Sequence, residues 1–269
     1  MLKKIYRRVL PENVRQAVRL LTTKAPALSV RYELAAEWPT SNDSSWRSPS
    51  VATRFKRGME TFDFDRARQT PESASASPIV RDNLALLGRT GLTDARLLDF
   101  GCANALYRLI LASQTVTENW EYVGADINAE IIEWCRTTHQ GTRFEVVKDN
   151  RDLPFRDGEF DVVLTSGVVH CIADFAAVMS ELHRVSRDYV LASRLPVWKH
   201  HPTRTVLQHV RHPWGEEMHP IHVFNRDELE ATFARLRFSI VYRDYGSEIF
   251  DVPDVHEPAV HNHYLLRKI

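Results

Sequence analysis

"LLDFGCANALYRLIL", residues 97–111, decides the fold. Apolar residues run into an acid, Asp99, and then a glycine, Gly101, as a β-strand enters a nucleotide-binding turn. A dinucleotide turn needs G-x-G-x-x-G so that backbone can approach a pyrophosphate, but Ala103 and Ala105 stand where glycines are common. A pyrophosphate cradle is therefore poorly supported. An acid ahead of the glycine would repel phosphate and attract a cationic ligand instead.

Outward from this turn, short apolar stretches alternate with amphipathic ones. "ARLLDF" (95–100), "YVGADI" (122–127), "FEVVKD" (144–149), "FDVVLTS" (160–166) and "DYVLASRL" (188–195) read as strands. "NAEIIEWCRTT" (128–138), capped by Asn128, and "DFAAVMSELHRV" (174–185), with Phe175, Val178, Met179, Leu182 and Val185 on one face, read as helices. Upstream, Ser77 followed by Pro78 opens another helix, with Val80, Leu84 and Leu87 on its apolar stripe. Strand and helix in strict alternation predict an α/β fold, a Rossmann-like doubly wound and mostly parallel sheet. The rhythm then changes. "NRDELEATFARL" (225–236) is a helix with an Asn225 to Glu228 capping box, and "FSIVYRDY" and "HNHYLLRKI" follow without a clear helix between them, which predicts an antiparallel C-terminal edge pair.

In an open parallel sheet, ligands bind beyond the carboxyl ends of the strands, where strand order reverses. Asp126 ends the second strand 25 positions after Gly101, where a carboxylate can accept both hydroxyls of a ribose. Asp149 and Asn150 follow the third, placed to read an adenine through a side-chain acceptor and a backbone N–H. With Asp99, these describe an adenosine carrying a positive group rather than phosphates. S-adenosylmethionine fits that description. The candidate cofactor contacts are Asp99, Phe100, Gly101, Cys102, Ala103, Asp126, Ile127, Asp149, Asn150 and Ser166.

The same residues carry a resemblance. "LLDFGCANA", "YVGADIN", "FEVVKDNRDLPFRDGEFDVVLTSGVVHCI" and the terminal strand pair resemble the class I S-adenosylmethionine-dependent methyltransferases over about residues 78–269. The resemblance implies Asp99 and Gly101 beside the methionine moiety, Asp126 on the ribose, and Asp149 with Asn150 at the adenine. A narrower resemblance rests on "YVLASRLPV", "HPIHVFNRDELEATF", Trp38 and Trp46. These are similar to a bacterial methyltransferase group associated with surface polysaccharide synthesis, which implies a sugar or glycan acceptor.

Methyl transfer depends mainly on alignment and needs a base only when the acceptor is a hydroxyl. His170, just past the fourth strand, is the first candidate base, set against a packing role. His222 is the second. It belongs to a run from Lys199 to His222 that also holds His200, His201, His209, His212 and His219, where an insertion covering the acceptor is expected. None of those spacings matches a zinc signature, so no metal is assigned and an aromatic, polar acceptor pocket is preferred. Arg194 and Arg204 could hold an acidic group or be solvated. Cys102 and Cys171 read as small buried hydrophobes rather than nucleophiles.

The whole chain sets outer bounds. Its 269 residues carry 35 basic and 35 acidic side chains, so no global field points to nucleic acid. Three widely spaced cysteines argue against a disulfide framework, and no apolar run approaches the ~20 residues of a membrane span; a cytoplasmic protein is expected. Residues 1–75 read as a helical and linker segment that could cover the substrate, and 76–269 as the cofactor-binding domain. Residues 1–24 hold seven cations against Glu12 alone, but Pro11 interrupts the helical moment, so packing on the protein is preferred to peripheral membrane contact. Two alternatives stay open: a fold that binds cofactor or partner without turnover, and a nicotinamide-dependent oxidoreductase, against which the missing glycines and Asp99 count.

Overall fold

A computed structural model describes residues 29–39, 42–61, 78–114, 117–212 and 215–269. Residues 1–24, Ser77 and most of the linker fall outside these, and with them the readings of a basic N-terminal helix and of the Ser77 cap. Ten strands are seen: β1 (Ser29–Leu34), β2 (Arg96–Phe100), β3 (Glu121–Asp126), β4 (Arg143–Val146), β5 (Phe160–Ser166), β6 (Ser186–Trp198), β7 (Arg204–His212), β8 (Gly215–Asn225), β9 (Phe238–Phe250) and β10 (Ala259–Lys268). The helices are α1 (Pro49–Thr61), α2 (Pro78–Gly88), α3 (Leu106–Leu111), α4 (Ala129–Thr138), α5 (Phe175–Val185) and α6 (Arg226–Arg235).

The central sheet runs β4-β3-β2-β5-β6-β10-β9, parallel from β4 to β6 and antiparallel at β10 and β9. Both faces are buried, as a parallel sheet requires. Phe160 and Val163 of β5, Val190 and Ala192 of β6, and Tyr264 and Leu266 of β10 join the α5 and α6 side chains on one face. Their alternates Val162, Leu164, Leu191 and Leu265 meet Leu86 and Leu87 of α2 on the other. Strand order reverses between β2 and β5, so the fold expected from sequence is the fold observed, and its ligand crevice opens beyond those two strands.

Four local readings are corrected. The third strand stops at Val146: the Val147 N–H makes the last bond to β3, to the Asp126 carbonyl at 2.8 Å, and Asp149 then closes a turn by accepting from the Arg151 N–H at 2.8 Å. At α6, Asn225 does cap the helix, accepting from the Asp227 and Glu228 N–H groups at 3.0 and 3.2 Å. The capping box is only half made, since Glu228 accepts from the Thr203 hydroxyl and the Thr203 Oγ1 takes the Asn225 N–H. The segment before the first sheet strand is not purely helical: Ser29–Leu34 is a largely exposed edge strand, which leaves no alternation to read. Finally, the histidine-rich run is a hairpin, β7 and β8, antiparallel to each other, with β1 added beyond β7.

This second, three-stranded unit joins the main sheet through β6. Beyond the end of β5, β6 runs on, and its Val197 and Trp198 pair in parallel with Phe224 and Asn225 of β8. The hairpin and β1 thereby hang over the carboxyl ends of the parallel strands.

Candidate active site

A cavity of about 410 Å³ lies at those carboxyl ends. Of the residues singled out from sequence, Phe100, Gly101, Ala103, Asp126, Ile127, Asn150, Ser166, His170 and Arg194 line it. Asp99, Cys102, Asp149, His222 and Arg204 lie outside the lining.

The turn after β2 is built for close approach. Gly101 has φ 78°, and a Cβ there would overlap both methyl groups of Val168. Ala103 and Ala105, at φ 45° and 58°, occupy the left-handed region that glycine fills without strain. The turn thus keeps the glycine-type backbone with alanines, each bearing the steric cost of a Cβ in that region. The N–H groups of Gly101 and Cys102 both reach the Ala125 carbonyl, at 2.7 and 3.0 Å, tying the turn to the end of β3.

Asp126 knits the site together. Its Oδ2 accepts from the Ala103 N–H at 3.0 Å and its Oδ1 from the Asn128 N–H at 2.9 Å. Burial raises its pKa, and those backbone donors and Arg47 work the other way. Asp99 sits below the turn, buried, accepting from the Tyr122 hydroxyl at 2.6 Å; burial pushes it up to about 7. It acts as a charge beneath the turn rather than as a cavity wall. Cys102 packs under Gly124, its thiol raised by burial. Asp149 is exposed and clasped by the Arg151 guanidinium at 3.0 Å, which lowers its pKa. Asn150, its neighbour, faces the cavity.

His170 lies in the 3-10 turn after β5, buried, with Nδ1 lacking any hydrogen-bond partner. Burial, with His261, Arg194 and His222 nearby, holds its pKa well below 6.5, so the ring is neutral at pH 7. His222 is spent elsewhere: Nε2 meets the Ala173 carbonyl at 3.0 Å and the ring packs against Trp38 at 4.4 Å. The other imidazoles of the run scatter to separate partners, His209 to Glu33 and His219 to Glu217. Among the described residues no three His, Cys, Asp or Glu side chains gather to hold a metal ion.

Sequence reasoning missed much of the opposite wall. Tyr32, Trp46, Val51, Arg54 and Phe55 come from the segment before the sheet, Gln208 and Val210 from β7, and His261 from β10. Strand and helix periodicity does not gather them: β1 and β7 meet by pairing, Arg47 and Asn128 tie down the stretch around Trp46, and His261 comes in on β10 beside β6. Arg194 reaches the cavity through a bulge: β6 gains one residue against β10 between Ala192 and Leu195, and Arg194 has φ 57° there.

Residues 98–189 match the methyltransferase domain family. The matched stretch covers the turn after β2, Asp126, Asn150, Ser166 and His170. Among curated relatives, a phthiotriol/phenolphthiotriol dimycocerosates methyltransferase of Mycobacterium ulcerans is 30% identical over 112 residues, 40% of this chain and 41% of that protein. A fatty-acid O-methyltransferase of Mycolicibacterium smegmatis is 34% identical over 93 residues, 34% of this chain and 33% of that one. The chain thus spans well under half the length of the curated relatives it matches. A solved structure of 1,6-didemethyltoxoflavin-N1-methyltransferase from Burkholderia thailandensis, holding S-adenosylhomocysteine, superposes with a TM-score of 0.51 at 16% identity. That likeness covers 82% of this chain and 90% of that one, and it establishes a shared fold. The elements of the matched stretch, from β2 to the start of β6 with α3 to α5, carry one side of the cavity, and residues before and after it build the other.

Proposed function

We propose that this protein is an S-adenosylmethionine-dependent methyltransferase acting on an oxygen of an apolar small molecule. Asp126 carries this reading. Each carboxylate oxygen already accepts one backbone N–H, and a carboxylate has about four acceptor positions, so both oxygens can still receive a ribose hydroxyl. Gly101, Ile127 and Asn150 line the cavity beside it, where a nucleoside would lie. The buried Asp99 lies below the turn, about half ionised at neutral pH with its pKa raised to about 7, and its charged form suits a sulfonium and opposes a pyrophosphate.

The cofactor is S-adenosylmethionine, as the methyltransferase domain match and the neighbour holding S-adenosylhomocysteine support. When bound it supplies a methyl group on a positively charged sulfur. The chain's part is to align the acceptor, exclude water and take up a proton. His170, neutral, with a buried and unpartnered Nδ1 in a side chain that lines the cavity, takes the proton of an acceptor hydroxyl. Val30, Val51, Phe55, Val168, Ile172 and Val210 line the acceptor side, so of the small-molecule and glycan acceptors expected from sequence the small molecule is retained. The relatives named for a fatty acid and for phthiotriol dimycocerosates are in keeping with an apolar acceptor.

Calorimetric titration of S-adenosylhomocysteine, S-adenosylmethionine and NADH against the purified protein tests the reading. The first two should bind with micromolar affinity and NADH should not. Asp126→Ala should weaken both nucleosides at least tenfold; binding of NADH alone, or unchanged affinity in the variant, would overturn the assignment.

A further inference from the structure

Helix α2 breaks its own pattern at one position. Its buried residues are Val80, Asn83, Leu86 and Leu87, so an amide stands, fully buried, on the stripe that packs against the sheet, where the spacing calls for another aliphatic side chain. Asn83 Nδ2 donates to the Tyr107 hydroxyl of α3 at 2.5 Å and to the Ser166 hydroxyl at the end of β5 at 3.3 Å, while its Oδ1 is buried without a partner. A leucine there would bury as well and leave no polar atom unpaired. Breaks of this kind in an otherwise consistent core mark functional places.

Of the three residues, Ser166 lines the cavity. A neighbouring polar pair gives the contrast: Ser193, opposite Ser166 on β6, meets His263 Nδ1 at 2.7 Å, but both are buried and neither lines the cavity. Asn83 and Tyr107 instead converge on a hydroxyl that a ligand can reach. Tyr107 follows closely on Ala105, the last left-handed residue of the turn after β2, so the same network ties the exit of that turn to the end of β5.

Strand order decides which part of a ligand meets Ser166. Across the crevice Asn150 follows β4, Asp126 ends β3, Gly101 follows β2 and Ser166 ends β5, and these strands are successive neighbours. At about 4.8 Å per strand, the ends of β3 and β5 stand about 10 Å apart, with β5 on the side away from Asn150. A nucleoside with its ribose at Asp126 and its base towards Asn150 therefore directs its 5′ substituent over Gly101 to Ser166.

We propose that Asn83 and Tyr107 are positioning residues that fix the Ser166 hydroxyl, and that this hydroxyl holds the amino-acid tail of S-adenosylmethionine. This rests on the methyltransferase reading and extends its cofactor site by two residues, from α2 and α3, that do not themselves line the cavity. Because both act through Ser166, their contribution to binding vanishes when the hydroxyl is removed.

The test is calorimetry on the full chain with S-adenosylhomocysteine and with 5′-methylthioadenosine, which keeps the nucleoside and the sulfur but has no amino-acid tail. Asn83→Leu should weaken S-adenosylhomocysteine about tenfold, the size of one hydrogen bond to a charged group, and leave methylthioadenosine within about twofold. Since leucine completes the apolar stripe, the midpoint of urea unfolding should hold. Tyr107→Phe, which keeps the ring and its packing, should show the same selectivity and gives the answer if the leucine variant does not fold. Ser166→Ala should match Asn83→Leu, and Asn83→Leu added to Ser166→Ala should cost nothing further. Ser193→Ala, which removes a buried bond away from the cavity, should leave the ratio of the two affinities unchanged. The proposal is overturned if the Asn83 and Tyr107 variants leave S-adenosylhomocysteine unchanged, if they weaken both nucleosides alike, or if the Asn83→Leu loss persists in full on top of Ser166→Ala; where methylthioadenosine binds too weakly to read, that last comparison decides by itself. Failure of wild-type protein to bind either nucleoside would strike the methyltransferase reading itself, and is seen before any variant is titrated.

Discussion

His170 and Asp126 show how burial changes what a side chain is for. Buried, with Arg194, His261 and His222 nearby, His170 holds its proton poorly, so in the proposed mechanism it would meet the acceptor as a free base at neutral pH. The expected acidic limb of kcat/KM therefore falls well below 6.5, and the profile should be flat from there to neutrality. His170→Gln should lower turnover by about 10²- to 10⁴-fold, the range for a general base, with S-adenosylhomocysteine affinity unchanged. A rate within threefold of wild type would reduce His170 to a packing residue. Asp126, half-buried, answers to backbone donors from two loops, and so registers the position of both turns at once.

At the scale of elements, the turn between β2 and α3 is the part whose geometry tolerates least. It places left-handed residues at alternate positions, Gly101, Ala103 and Ala105, and seats Val168 of the turn after β5 directly over Gly101. Gly101→Ala adds both a disfavoured φ and an overlap with Val168; each costs of order 1–3 kcal/mol. We expect a loss of about 3 kcal/mol in urea unfolding. Gly101→Ala/Val168→Ala should relieve the overlap and keep the φ penalty, recovering only part of that loss; full recovery would show that backbone conformation is irrelevant there. The helix α6 makes a related point, since Asn225 caps it while its Nδ2 also donates to the His201 carbonyl at 2.9 Å, so one side chain sets both the helix start and the loop before the hairpin.

At the scale of the molecule, the cavity exists because the segment before the sheet is fastened across the strand ends. Arg47 straps it there, donating to the Ile127 carbonyl at 3.2 Å and the Lys148 carbonyl at 2.6 Å, while Asn128 donates to the Trp46 carbonyl at 3.0 Å. Charge-assisted bonds of this kind are worth ~1.5–3 kcal/mol each. Arg47→Ala should loosen the strap more than the core. Hydrogen exchange should rise by tenfold or more across residues 29–61 and stay within twofold in β5 and β6, whereas uniform acceleration would mean that the segment and sheet open together.

The alternation of apolar strands with amphipathic helices from residue 95 onward, and the acid-then-glycine turn, were enough by themselves to determine a doubly wound sheet and its reversal point, and they pointed to Phe100, Gly101, Ala103, Asp126, Ile127, Asn150 and Ser166, which line the cavity, though not to its far wall. These rest on periodicity and on residues next to strand ends, both local properties. The acceptor half was decided only in three dimensions. Val30 and Tyr32 lie on an exposed edge strand with no alternation, Arg54 looks like any helix-surface cation until Glu217 is brought beside it across more than 160 positions, and the histidines of β7 and β8 face different partners because a hairpin sends alternate residues to opposite sides. Long-range strand pairing placed them, and a linear pattern does not record which distant strands will pair.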